Sequence, residues 1–196
     1  KDPSNFLKYI FDEYQGKIKL IVSGSSAFYI DKKFKDSLAG RKKIFHVSTL
    51  SFGEFLGFKG EADLSRTDFN KIGLEEKNKL DLLYREFMLF GGYPRVVLAP
   101  VGEKENVLKE LAFSYIKKDI YVANIQQEDV FYALFKILAS QVGCLVNASE
   151  LANTLNVSKA SIYNYLYVMR KSYHLALVPP FFKNARKEIS KMPKVF

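Results

Sequence analysis

Small hydroxyls at Ser23, Ser25 and Ser26, and a guanidinium at Arg41, are the groups whose types and spacing point most directly to chemistry. The serines follow a short apolar run, Ile18 to Val22, which reads as a strand buried on both faces. In open α/β sheets, ligands lie beyond the carboxyl ends of the strands, where this Ser23-Gly24-Ser25-Ser26 turn falls. Arg41 follows Gly40 at the end of the next predicted helix. Hydroxyls orient a water or a phosphate oxygen, and a guanidinium stabilises charge on a phosphoryl group in transfer. These groups could contact a phosphate but could not hold one alone. No GxxxxGK[ST] loop occurs in the 196 residues. Gly40 with Arg41, Lys42 and Lys43 also suits an ordinary helix end, with a left-handed cap and cations at the negative pole.

Other catalytic signatures are missing from the sequence. HExxH, CxxC and GxSxG do not occur, and His46 and His174 lack metal-ligand spacing, so no metal site is expected. Tyr9 to Glu13 imitates an apolar strand ending in Asp-Glu. The next strand candidate starts at Ile18, which leaves no room for the crossover that parallel strands require. Residues 4–15 therefore read as a helix, with Asp12 and Glu13 on its solvated face.

The elements that would position these groups follow in order. Ile44 to Val47 is a second strand candidate. Ser51-Phe52-Gly53-Glu54 is a capping box that opens a short helix ending near Gly57. Residues 57–73 are polar, hold three glycines and read as a linker or lid insertion. A helix is predicted over 74–90, with Leu80, Leu83, Tyr84, Phe87, Met88 and Phe90 inward, stopped by Gly91-Gly92-Tyr93-Pro94. Further helices are predicted over 103–122 and 130–141. Their aromatic and aliphatic residues are read as core.

The last unit has helix-turn-helix grammar. Residues 149–155 form a short helix, Asn156-Val157-Ser158 the turn, and residues 158–172 a second helix capped by Ser158. Ile162, Tyr165, Leu166 and Met169 form its inner face, Ala152 is small where the helices cross, and Val157 plugs the turn. Leu175 to Val178 and Pro179-Pro180 would follow as a wing. The net charge of +9 is concentrated here. Residues 131–196 hold nine basic and two acidic side chains, the basic ones including Lys136, Arg170, Lys171, Lys187, Lys191 and Lys194. A basic patch on such a unit is an electrostatic footprint for nucleic acid, and equally a solvated basic face. The candidate contacts are Lys159, Ser161, Tyr163 and Asn164 at the front of the second helix, with Lys183 and Arg186 beyond it.

Composition is that of an ordinary globular protein, 48% hydrophobic and 26% charged, which argues against disorder. The lone Cys144 precludes an internal disulfide framework, fits a reducing cytosol, and reads as a buried structural thiol. No run approaches the roughly 18 apolar residues of a membrane helix, so a cytoplasmic location without membrane contact is expected. The chain opens on Lys1 and closes on a strand-like run, Pro193 to Phe196, and reads as a piece of a longer protein.

Several stretches occur in an order that resembles a prokaryotic family. They are IKLIVSGSS, SLAGR, Leu50-Ser51-Phe52-x-Glu54-Phe55, Phe90 to Pro94, SELANTL-NVS and Pro179 to Asn184. The chain is similar throughout to AAA-superfamily ATP-binding proteins of bacteria and archaea whose C-terminal half joins a winged helix to a nuclease-like fold. The resemblance implies an α/β region followed by a mainly α region. Residues 1–57 would be the C-terminal part of a P-loop ATPase core, 58–128 a helical lid, and 129–196 a winged helix-turn-helix. It also implies ATP and Mg2+ as cofactors of the complete protein, none of them held by this chain alone. Ser25 or Ser26 would lie near the γ-phosphate, and Arg41 would report nucleotide state in cis or, in a homo-oligomer, from a neighbour. Gly92 and Pro94 would belong to a lid motif near adenine, and DNA would be a partner of the basic end. The alternative is a non-catalytic winged-helix module that binds DNA or protein. In a polypeptide that carries a phosphate loop as well as this chain, Arg41→Ala is expected to lower ATP turnover more than it lowers the melting temperature. Unchanged turnover would reduce Arg41 to a helix cap.

Overall fold

The computed structural model describes residues 3–14, 17–24, 43–67 and 71–196. They group into two units, one drawn from residues up to Lys43 and from Lys117–Phe196, the other from Ile44–Ile116. The described residues are mostly helical with little sheet. Among them, no helix is long and apolar enough to cross a membrane.

Helix α1 spans Pro3–Glu13 and carries Asp12 and Glu13 on its exposed side. The two N-terminal strand expectations are corrected. Residues 18–22 and 44–47 hold no strand, and Ile21 and Phe45 are 84% and 74% exposed. A strand exists only through bonds to a neighbour, and no described segment pairs with either stretch. His46 is exposed there rather than set on a strand.

In the unit Ile44–Ile116, the capping box forms as expected. The Ser51 N–H donates to Glu54 Oε2 at 2.8 Å and the Glu54 N–H to Ser51 Oγ at 3.4 Å, opening α2 (Phe52–Phe58). The Ser51 backbone N–H, and then its hydroxyl, hold the Glu54 carboxyl below the usual carboxylate range. The expected linker is corrected in its middle. Ala62–Arg66 is a 3-10 turn whose buried Leu64 packs with Phe55 and Leu56. Helix α3 (Leu74–Phe90) has the predicted bounds. Gly73 has no side chain to accept a bond, so only the return half of a capping box remains, its N–H donating to Glu76 Oε2 at 3.1 Å. Leu80, Leu83 and Phe87 turn toward Phe55, Leu56, Leu64 and Val97. Tyr84 and Met88, predicted inward, are exposed, because the partly buried stripe of α3 is narrower than its apolar face.

The Gly91-Gly92-Tyr93-Pro94 stop has a separate cause at each position. Gly91 has φ 73°, a left-handed conformation, and its N–H donates to the Phe87 carbonyl at 2.8 Å. At Gly92 the backbone meets that of Leu50, whose N–H donates to the Gly92 carbonyl at 2.8 Å. A Cβ at residue 92 would lie 2.2 Å from the Leu50 oxygen. Pro94 takes the first position of α4 (Pro94–Leu98), where its missing N–H costs nothing.

Helix α5 (Lys104–Ala123) starts on a lysine that is 1% exposed. Lys104 Nζ donates to the Val96 carbonyl and, at 2.8 Å, to the Val97 carbonyl, and it lies 3.3 Å from Glu86 Oε1. The same carboxylate oxygen pairs with Lys59 at 3.0 Å. The buried ammonium is thus held by two carbonyls at the end of α4 and by the Glu86 carboxylate.

The other unit contains α6 (Glu128–Ser140), α7 (Ala148–Thr154), α8 (Lys159–Lys171), β1 (Leu177–Val178), α9 (Ala185–Ser190) and β2 (Lys194–Val195). Phe131, Leu134 and Leu138 of α6 are buried, as are Ile162, Tyr165, Leu166, Val168 and Met169 of α8. The Phe131 and Tyr165 rings meet edge to face at 5.5 Å. Strands β1 and β2 pair antiparallel, with Leu177 opposite Val195, and Leu145 bridges to Lys194 on the other side. Cys144 corrects its expectation. It is exposed, because its backbone rather than its thiol serves this ladder, the carbonyl accepting from the Val195 N–H at 3.1 Å.

Gly92→Ala is expected to destabilise the protein by about 1–3 kcal/mol, since the new methyl and the Leu50 carbonyl cannot share their space. Gly53→Ala is the contrast. Nothing lies within 4 Å of a Cβ there, and its place inside α2 makes a gain of about 0.5–1 kcal/mol the expected outcome. Urea denaturation of the two variants beside the parent chain checks both signs.

Candidate nucleic-acid interface

Helices α7 and α8 owe their relative placement to a three-residue turn. Asn147 caps α7, its Oδ1 accepting from the N–H groups of Ser149 and Glu150 at 3.1 and 3.3 Å. At the other end Asn156 has φ 52°. The Val157 N–H donates back to the Ala152 carbonyl, and the Asn156 N–H to the Asn153 carbonyl. This pair of bonds is a Schellman end, and asparagine tolerates the left-handed residue it needs. Ser158 then caps α8, its Oγ accepting from the Ser161 N–H at 3.0 Å. Ala152 is buried and Val157 half-buried, as the sequence pattern required for two helices crossing closely.

With the inner face of α8 buried, its outer face carries Lys159, Tyr163, Tyr167 and Arg170, spaced four, four and three residues apart. These four side chains line a groove of about 430 Å³, and Ile189 to Pro193 line it from the other side. Each ring has a cation near its face: Lys159 lies 5.8 Å from the Tyr163 centroid, and Arg170 and Lys171 each lie 6.0 Å from that of Tyr167.

The sequence-selected contacts divide between places. Lys159 and Tyr163 lie on this groove. Ser161 and Asn164 lie round the helix, beside a shallow recess with Asn124 to Gln127. The Ser161 hydroxyl is engaged with that of Ser158 at 2.9 Å. Lys183 and Arg186 are exposed outside the groove, and the Arg186 N–H donates to the Asn184 Oδ1 that caps α9. Tyr167 and Arg170 were not selected, although helical spacing from Tyr163 reaches both. Lys191 also lines the groove, and no local pattern could have placed it there.

The nucleotide-side candidates are distributed differently. Ser25, Ser26 and Arg41 lie outside the described residues. Gly92 and Pro94 belong to the other unit, where the space beside the Gly92 Cα is filled by Leu50 rather than open to a ligand. Tyr93 between them is half-buried and stacks on Tyr115 at 6.3 Å; burial, and then the neighbouring Tyr115, raise its hydroxyl above the usual tyrosine range. The described residues therefore do not fit the holding of a nucleotide phosphate. Among them there is also no group of three or more His, Cys, Asp or Glu that could hold a metal ion.

Beneath α8 lies a polar pair that sequence reading missed. His174 Nε2 and Asp119 Oδ2 are 2.6 Å apart and nearly buried, with the Phe135 ring edge-on to the imidazole at 5.8 Å. The residues are 55 apart in sequence. Helix α8 ends just before this pair. Tyr173 has φ 61°, and the His174 N–H donates to the Met169 carbonyl at 2.9 Å, a second Schellman end with a bulky residue in the left-handed position. The bond to Asp119 holds the end of α8 against α5.

Comparison with known proteins matches the two ends of the chain to different families. Residues 1–56 match the model of the AAA domain, which relates that end of the chain to AAA-type ATPases. Residues 81–196 match the domain of unknown function DUF8612, and the chain belongs to that family. It is 30% identical over 147 residues to an uncharacterized protein of Haemophilus influenzae, covering 74% of this chain and 34% of the relative. It is 26% identical over 190 residues to an uncharacterized protein of Methanocaldococcus jannaschii, covering 90% of this chain and 41% of the relative. The chain thus spans roughly a third to two-fifths of the length of these curated relatives. No solved structure matches it.

His174→Ala and Asp119→Ala are each expected to lower stability by about 1.5–3 kcal/mol, the range for a hydrogen bond to a charged group. The double variant should cost less than the two singles together, which a double-mutant cycle in urea measures. Strict additivity would mean that the pair does not couple α5 to the end of α8.

Proposed function

We propose that the complete protein binds ATP with Mg2+ through an AAA-type core and passes the nucleotide state to a winged helix that binds nucleic acid. In this reading Ser25, Ser26 and Arg41 are the sensing groups, and Gly92 with Pro94 shapes a lid turn. The match of residues 1–56 to the AAA domain supports the first half. The observation that carries the second half is the order of elements from α6 onward. A helix, the bridging residue Leu145, two helices joined by a tight turn, a strand, the short helix α9 and a second, antiparallel strand follow one another, with Lys194 paired on both sides. This order supports the winged-helix reading, with residues 179–193, α9 included, as the wing. Its composition is basic, with nine lysines and arginines against Glu128, Asp129, Glu150 and Glu188 from α6 onward.

Binding of a labelled DNA to this chain should depend steeply on salt. With about three phosphate contacts, affinity for duplex is expected to fall roughly 40-fold between about 50 and 200 mM salt. Absence of binding to either duplex or single strands at low salt would end the nucleic-acid reading. The chain on its own, which has no phosphate loop, is expected to show no ATP turnover. Turnover that tracks this polypeptide through purification would overturn that expectation.

A further inference from the structure

The groove on the outer face of α8 has a chemistry more specific than a basic patch. Lys159, Tyr163, Tyr167 and Arg170 run along roughly 16 Å of helix at 1.5 Å per residue. Ile189 and Lys191 face them from the far wall. Tyr163 and Tyr167, one helical turn apart, are 56% and 42% exposed. Among the described residues that line the groove there are three cations and no carboxylate. An anionic occupant that offers flat apolar faces to the two rings complements this lining. An acidic peptide supplies the charge without regular flat faces. Duplex nucleic acid has its base faces stacked inside, where the rings of Tyr163 and Tyr167 do not reach them. A single strand supplies both features at once. Its bases are free to stack on aromatic rings, and its phosphates are spaced along the same line.

We propose that this groove takes a single strand of nucleic acid, its bases against Tyr163 and Tyr167 and its phosphates on Lys159, Arg170 and Lys191. The proposal rests on the nucleic-acid reading of the preceding subsection and replaces insertion of α8 into a duplex groove with capture of a strand between α8 and the wing. Ser161 and Asn164, on another side of α8, then have no part in binding.

Fluorescence anisotropy on this chain tests it with a labelled oligothymidylate, the corresponding oligouridylate, a duplex of matched length and a polyglutamate peptide. Either single strand should bind at least about 10-fold more tightly than the duplex, and the stronger of the two identifies DNA or RNA as the source. Tyr163→Leu and Tyr167→Leu should each weaken strand binding roughly 5- to 150-fold, the span of base–aromatic stacking, and leave duplex binding unchanged. Tyr163→Phe and Tyr167→Phe, which keep the ring, should retain strand affinity and so separate stacking from loss of fold. Lys159→Gln or Lys191→Gln should each flatten the slope of log affinity against log salt by about 0.7, the value for one phosphate of a single strand left without its cation. Tighter binding of duplex with no effect of the leucine variants overturns the strand proposal and leaves the nucleic-acid reading standing. Polyglutamate bound as tightly as the strands also overturns it. Binding of none of the four probes removes both.

Discussion

The last four residues of the chain pin the C-terminal unit together through backbone bonds alone. The Gly143 N–H donates to the Val195 carbonyl at 2.7 Å, and the Val146 N–H to the Pro193 carbonyl at 2.8 Å. On the other side Ala176 and Phe196 exchange both of their bonds, at 2.6 and 2.9 Å. The segment 193–196 is therefore the middle of three short extended stretches, and Val195 is 2% exposed within it. Two-residue strands are weak by themselves, and they persist here because each side contributes bonds that the other aligns. The groove depends on this ladder, since Ile189 to Pro193 can face α8 only while the residues after them are held.

Helix ends do similar work elsewhere in this unit. The helices that stop at Asn124, Asn156 and Tyr173 all end with a non-glycine residue at positive φ, and each returns two N–H groups to the last turn. Such an end sets the exit direction of the chain instead of letting it fray. The ends at Asn156 and Tyr173 bracket α8 and thereby fix which side of it meets the core. In the other unit, comparable roles fall to the Leu50–Gly92 backbone contact and to the buried Lys104 ammonium. The first joins segments far apart in the chain, and the second ties the start of α5 to the end of α4 and to Glu86 of α3.

Much of the helical content was legible because its signals are local. The capping box at Ser51 and Glu54, the glycine stop after Phe90, the asparagine turn and the Ser158 cap all lie within a few residues of the elements they bound. The inner face of α8 followed from spacing alone, and every residue assigned to it is buried. The expected strands at 18–22 and 44–47 failed for the complementary reason. Apolar runs specify what a segment can bury, and pairing requires a partner that no local pattern supplies. The exposed thiol of Cys144 is a related case, since apolar neighbours in sequence need not be neighbours in space.

The candidate site was legible in part. Lys159 and Tyr163 could be named because they sit at the front of a recognisable helix, and Tyr167 with Arg170 lay within reach of the same periodicity. Lys191 could not, because a turn, a short helix and the strand ladder intervene between it and α8. The pairing of His174 with Asp119 and the burial of Lys104 were equally hidden, since an isolated histidine or lysine has no local signature of burial. Residue order was enough to specify helices, caps and the sign of the charge, which depend on neighbours in the chain. The meeting of cations and rings in one groove, and the choice of buried polar partners, depend on long-range closure of the backbone, where only the folded geometry brings the groups within bonding distance.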